Sequence, residues 1–197
     1  MSIWDERFSA EAYAYGEQPN RFFAQEIEKL TPGRILLPME GEGRNAVYAA
    51  TLGWDVEAFD ASKEGIKKAQ KLAKTFGVSI SYTLANAKNF IFEPSRYDVV
   101  ALVYAHLPPE EREEMHRSIR RSTVHGGRII AELFHPNQLG RTSGGPKRID
   151  MLYSLALLES DFPDFETIIG EETEVGLNEG VFHQGKAVVT RYVSKKI

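Results

Sequence analysis

The sequence predicts an α/β domain built on a mainly parallel, doubly wound sheet with helices on both faces. Short apolar runs alternate with longer segments of helical period, which is the pattern of a sheet buried on both sides. The 197 residues, 42% of them hydrophobic, suit a single domain spanning 1–197 with a core large enough to need no disulfide or metal clip. The chain has no cysteine. That removes a thiol nucleophile, a redox pair and a thiolate zinc site from its chemistry.

Strands are expected at about Arg34 to Leu37, Val56 to Asp60, Ile80 to Leu84, Asp98 to Tyr104 and Arg128 to Leu133, each close to the usual length of ~5 residues. Tyr97 to Val103 is apolar on both faces and belongs at the sheet centre. Asn20 can cap a helix running to about Leu30, and Ser62 one running to about Phe76, where Gly77 stops it. Glu110, Glu111, Glu113 and Glu114 crowd the start of a further helix, where carboxylates oppose the positive dipole end, and Gly126-Gly127 is expected to close it. An apolar helix at about Met151 to Leu158 precedes two strands, Phe165 to Val175 and Ala187 to Val193. Gly176 to Gly185 between them suggests a hairpin. Two segments lack periodicity, Trp4 to Pro19 and His135 to Arg148. The first is read as part of an N-terminal lid (1–19) and the second (135–148) as an acceptor-side loop, because long loops in compact domains are more often functional than idle.

The net charge of −4 argues against a globally basic nucleic-acid binder. Charges within the first seven residues do not suit a secretory signal, and the longest apolar run, Val99 to Ala105, is far shorter than the ~20 residues of a membrane helix. The expectation is a soluble cytoplasmic protein with no membrane or nucleic-acid partner, monomeric or weakly dimeric.

Ile35 to Asn45 passes from strand through Gly41 and Gly43 into a helix, a place where a ligand can approach the backbone and free amides. Asp60 ends the second strand 17 residues beyond Gly43. A carboxylate there suits a ribose diol, because it offers only acceptors to two hydroxyl donors. A dinucleotide would place its pyrophosphate beside Glu40 and Glu42, whereas S-adenosylmethionine brings a sulfonium and an ammonium. The acidic turn is therefore read as suited to the latter.

Leu37 to Asn45 and Trp54 to Asp60 resemble the first two motifs of class I S-adenosylmethionine-dependent methyltransferases, in the small-molecule branch of tellurite-resistance and thiopurine-type enzymes. Tyr15-Gly16 with Pro19-Asn20, Ser143 to Lys147, and Glu179-Gly180 with His183 to Lys186 resemble a bacterial subgroup of it. The resemblance implies a Rossmann-like seven-stranded sheet whose seventh strand is antiparallel and inserted between the fifth and sixth. It also implies cofactor contacts from Met39, Glu40, Gly41, Gly43 and Asn45 in and after the turn, Asp60 and Ala61 at the ribose, and Asn86 and Ala87 at the adenine. Tyr104 would form the floor after the fourth strand, and Tyr15 would close over as a lid. Departures are Met39 where the usual motif has glycine, Leu37 in place of an acidic residue, and Asn86 in place of Asp.

His106, after the fourth strand, is a candidate general base or acceptor-orienting group, His183 in the hairpin is a second candidate catalytic residue, and His183 and His135 are expected near the same rim. No metal site is predicted, because no motif spacing supports one. Lys63, Lys67, Lys68, Lys71 and Lys74 read as a solvated helix face, and Ser143 to Lys147 as a sharp turn. The function these residues support is transfer of the S-adenosylmethionine methyl group to a small molecule, mainly by proximity and orientation, since the sulfonium is already activated. A nicotinamide-dependent oxidoreductase on a similar fold and a non-catalytic S-adenosylmethionine-binding sensor or interaction module remain alternatives.

Overall fold

Ile35, Leu36 and Leu37 are fully buried, so β1 (Arg34–Pro38) is covered on both faces, as an uninterrupted apolar run requires. A computed structural model describes residues 3–197. The remaining strands are β2 (Asp55–Asp60), β3 (Ser81–Leu84), β4 (Tyr97–Val103), β5 (Thr123–Phe134), β6 (Phe165–Glu179) and β7 (His183–Lys196). They form one sheet in the order β3-β2-β1-β4-β5-β7-β6. Every pairing is parallel except those of β7, which lies antiparallel between β5 and β6.

The helices are α1 (Ile3–Phe8), α2 (Arg21–Ile27), α3 (Arg44–Thr51), α4 (Lys63–Thr75), α5 (Pro109–Ser122) and α6 (Leu155–Asp161). Alternation along the strands divides the core in two. Ile35, Leu37, Val56, Ala58 and Val99 meet Phe22, Phe23, Ile27, Val47 and Leu72 of α2, α3 and α4 on one face. Leu36, Phe59, Val100 and Leu102 meet Met115, Ile119, Leu158 and Phe162 of α5 and α6 on the other. Each such side chain contributes about 1.5 to 3 kcal/mol by leaving water. The winding reverses between β1 and β4, so the crevice for a ligand lies beyond their carboxyl ends.

The capping residues expected for α2 and α4 occupy those places: Asn20 Oδ1 accepts from Phe23 N at 2.9 Å and Ser62 Oγ from Gly65 N at 3.1 Å. Other boundaries differ. Helix α5 stops at Ser122, four residues before Gly126, because the Ser122 and Thr123 hydroxyls both donate to Ile119 O and Lys196 Nζ donates to Arg120 O. Gly126, at φ +77°, lies within β5. Helix α6 begins at Leu155 rather than Met151, since Ser154 is its cap and Met151 closes a short 3-10 turn. The β6–β7 ladder continues to Glu179↔His183, with Gly176 and Gly185 inside it. Leu177, 7% exposed, anchors that extension. Within the segment expected to form a lid, Ile3–Phe8 is helical, while Met1 and Ser2 lie outside the described residues. No helix among the described residues is long and apolar enough to cross a membrane.

Candidate active site

The turn after β1 opens with Met39 at φ +55°, a left-handed conformation that costs a non-glycine residue energy and explains why the resembled motif has glycine there. Glu40 folds back onto the following helix. Its Oε1 accepts from the amides of Asn45 (2.7 Å) and Ala46 (2.9 Å), and its Oε2 from Asn45 Nδ2 (3.1 Å). Burial pushes its carboxyl above the usual range against the pull of these bonds. The first-turn amides of α3, which would otherwise form an anion site, are thus occupied by a carboxylate.

Asp60 sits beside the turn. Its Oδ2 accepts from Gly41 N at 2.9 Å and its Oδ1 from Ser62 N at 2.8 Å, while burial pushes its carboxyl up. Tyr82 Oη donates to Gly41 O at 2.7 Å. Gly43 is required for packing: a Cβ there would stand 2.4 Å from Ala69 Cβ, so α3 and α4 could not approach. Ala61 and Asn86 are exposed next to these groups, and Asn86 Oδ1 accepts from Lys88 N and Asn89 N. Ala87 packs at the edge of the second core.

The two glutamates do not present their charge to the crevice as the sequence suggested. Glu42 is 4% exposed; its Oε2 accepts from Ala14 N at 2.8 Å and its Oε1 lies 2.5 Å from Lys68 Nζ. Lys68 also donates to the carbonyls of Ala10 and Ala12, so it is a tether for the N-terminal segment rather than part of a solvated face. That segment covers the turn. Phe8 is buried so closely over Gly41 that a Cβ on the glycine would meet its Cζ at 3.1 Å. Tyr15 packs against Phe8 and Phe182 and lies 4.5 Å from the ring of His183. Arg7 donates to Tyr15 Oη and lies between the Trp4 and Phe182 rings.

The hairpin tip closes from the opposite side. Val181 N donates to Ala14 O, and a Cβ on Gly180 would stand 2.3 Å from that same oxygen. Gly180→Val is expected to lift the tip from the segment and expose residues 9–19 to protease. Unchanged digestion would show that the contact does not hold that segment.

His106 and His183 flank Phe134, with ring centroids at 5.7 and 5.4 Å from it. The two imidazoles differ in what they have free. His106 Nδ1 donates to Met151 O at 2.7 Å and its Nε2 accepts from Phe134 N at 3.1 Å, so both nitrogens are committed to main chain. Burial lowers its pKa to about 4. Because the folded value lies below the unfolded one, stability is full above about pH 6.5 and is lost as the pH falls toward 4, by up to about 3 kcal/mol. Urea titrations at pH 7 and 4.5 should show that loss shrinking in His106→Gln. His135 is turned away, with Nε2 3.4 Å from Glu172. His183 keeps only Nδ1 engaged, 3.2 Å from Glu179 Oε2.

A buried polar network not singled out in the sequence lies beneath His183. Glu132 accepts from Asn20 Nδ2, Tyr104 Oη and Arg191 Nε, and Arg44 Nη2 donates to Glu179 Oε2 at 2.9 Å. Tyr104, at φ +53°, stacks on Phe134 and meets His183 edge-on. One signal was available: a glutamate inside the apolar run Arg128 to Leu133 marks a buried polar group that must have partners.

Residues 36–127 match the methyltransferase domain family. The match runs from β1 into β5 and takes in the Gly41 turn, Asp60 and Asn86. The chain is similar in fold to TehB from Haemophilus influenzae, at 16% identity and TM-score 0.74, covering 98% of this chain and 66% of that one. It is also similar to an S-adenosylmethionine-dependent methyltransferase from Methanosarcina mazei (16%, TM-score 0.69, 91% and 99%). A third similar structure is the Burkholderia thailandensis 1,6-didemethyltoxoflavin-N1-methyltransferase holding its substrate and S-adenosylhomocysteine (15%, TM-score 0.65, 89% and 77%). No curated protein matches this sequence. The chain thus has the expected seven-stranded order, with the antiparallel strand inserted next to β5.

Proposed function

We propose that the methyltransferase moves the methyl group of S-adenosylmethionine to a small-molecule acceptor, mainly by holding donor and acceptor in line and excluding water. The observation that carries the choice of cofactor is the Glu40 carboxylate on the Asn45 and Ala46 amides. A pyrophosphate would need those amides and would meet a negative charge instead, whereas a cofactor with no phosphate and two cationic groups does not need them. The residues fit S-adenosylmethionine: Met39, Gly41, Gly43 and Asn45 would take its methionine side, Asp60 and Ala61 the ribose, and Asn86 and Ala87 the adenine. Phe8 must shift from Gly41 for the backbone to be reached, which makes α1 and Tyr15 a lid.

When bound, S-adenosylmethionine supplies an electrophilic methyl group. The chain's part is to position the acceptor beside it between Tyr15, Tyr104 and His183. A small acceptor is supported by how little of the chain lies outside the sheet and its covering helices. Among the described residues, the N-terminal segment, the hairpin tip and the loops at 85–96, 104–108 and 135–148 are available to shape a pocket. Isothermal titration with S-adenosylmethionine, S-adenosylhomocysteine and NADH tests the reading. Micromolar binding of the first two is expected, and binding of NADH alone would overturn it.

A further inference from the structure

We propose that Glu179 is a positioning residue, which with Arg44 presents His183 as the proton acceptor for acceptors that arrive protonated. The inference rests on the methyltransferase reading and assigns a directional role to side chains that the cofactor set does not include.

The geometry comes from the hairpin. Glu179 and His183 are the last and first residues of β6 and β7, opposite each other across a three-residue turn. Their side chains are 16% and 7% exposed. A carboxylate can only accept, so the bond from Glu179 fixes the proton of neutral His183 on Nδ1 and leaves a lone pair on Nε2. Arg44, 8% exposed, holds the other side of the same carboxylate oxygen and also donates to the carbonyls of Tyr15 and Gln18. Because Arg44 follows Gly43 directly, the cofactor turn, the lid and the carboxylate share one guanidinium.

Nε2 has no hydrogen-bond partner among the described residues. The Ser143 to Lys147 loop runs along that edge of the ring. A Cβ on Gly144 would stand 2.7 Å from His183 Cδ2 and 3.1 Å from Nε2, so only glycine leaves that edge open. The loop is fixed there by Ser143 Oγ donating to Lys186 O, and by Gln138 Nε2 donating to Gly144 O. Tyr15, Tyr104 and Phe134 wall the ring.

The charged and titratable groups around His183 are Glu179 from β6, Arg44 from α3, Arg7 from α1, Tyr15 of the lid, Tyr104 with Glu132 behind it, and His106. Burial lowers the His183 pKa and outweighs Glu179, while Arg44 and Arg7 act in the same direction as burial. Burial alone would raise the Glu179 carboxyl, but His183 and Arg44 hold it below the usual range. The imidazole is therefore neutral, and the carboxylate charged, near neutral pH. In the step, the acceptor's heavy atom gives a lone pair to the methyl carbon, and the bonding pair leaves with the sulfur. The acceptor's proton passes to His183 Nε2 and then to solvent, leaving methylated acceptor and S-adenosylhomocysteine.

Two measurements test this. Nitrogen-15 NMR of histidine-labelled protein, with His183→Ala for assignment, should show the Nδ1–H tautomer at His183 in the wild type and a mixture in Glu179→Gln. An Nε2–H tautomer in the wild type overturns the proposal without reference to activity. For transfer, the probes are 2-mercaptoethanol, protonated near neutrality, and 4-nitrothiophenol, already ionised. His183→Ala should reduce kcat about 100-fold with the first and little with the second. Glu179→Gln should lose about ten-fold on the first alone and move the acid limb of its pH profile to lower pH, with Glu179→Asp restoring part of both. Equal losses on both thiols, or an unmoved acid limb, would overturn the role. If the wild type methylates neither thiol, the functional reading is challenged, while the NMR result still decides the dyad.

Discussion

Glu132→Ala is expected to destabilise the fold by about 3 to 5 kcal/mol, the largest loss from a single truncation in this site. The carboxylate is 3% exposed and receives Asn20 Nδ2 at 2.6 Å, Tyr104 Oη at 2.8 Å and Arg191 Nε at 2.8 Å. Removing it leaves three donors without that partner, one of them a guanidinium, whose desolvation is then poorly compensated. Glu132→Gln keeps the shape and an acceptor and should lose markedly less. Urea denaturation of both variants at pH 7 separates lost charge from lost volume. Losses below about 1 kcal/mol in the alanine variant would mean that water or a rearranged Arg191 replaces the carboxylate.

Asp60→Ala should weaken S-adenosylmethionine binding by about 1 to 3 kcal/mol, five-fold to over a hundred-fold in Kd. The effect has two physical sources. One is the lost acceptor for a ribose diol, and the other is the turn itself, because Asp60 holds Gly41 N and Ser62 N in their present places. Asp60→Asn keeps one carbonyl acceptor and separates the two: it should retain most of the fold stability while losing much of the affinity. Titration calorimetry well below the unfolding transition is the measurement. Unaltered affinity in a folded alanine variant would remove Asp60 from the cofactor site.

What could be read from the sequence follows the range of each signal. Asn20 and Ser62 act within three residues of themselves, so their capping roles were legible. The strands of the buried sheet were legible because Ile35 to Leu37 and Val99 to Leu102 are apolar without interruption. The far ends of β6 and β7 were not, since one face of that hairpin meets water and Glu171, Glu172 and Glu174 mask its alternation. In the site, Gly41, Gly43 and Asp60 stood out by spacing alone. The directions of Glu40 and Glu42 could not be read, because Glu42 answers to Lys68 and to Ala14, 28 residues away. The same distance effect separates the histidines: His106 is silenced by Met151 and Phe134, neither near it in sequence.

The inserted β7 has a consequence for synthesis. Strand β6 is made first but, among the described residues, pairs in the sheet with β7 alone, and β7 links it to β5. As the chain emerges, the β5 edge from Arg128 to Phe134 stays open until the residues that pair with it, Val189 to Lys195, have been added. A nascent domain that pauses in this interval presents an apolar strand edge to its neighbours, the condition that favours association between unfinished chains. Completion of the sheet, the hairpin tip and the contact at Ala14 then fall together, so a premature stop within β7 would remove the hairpin's hold on the N-terminal segment and the stability of the half already built in one event.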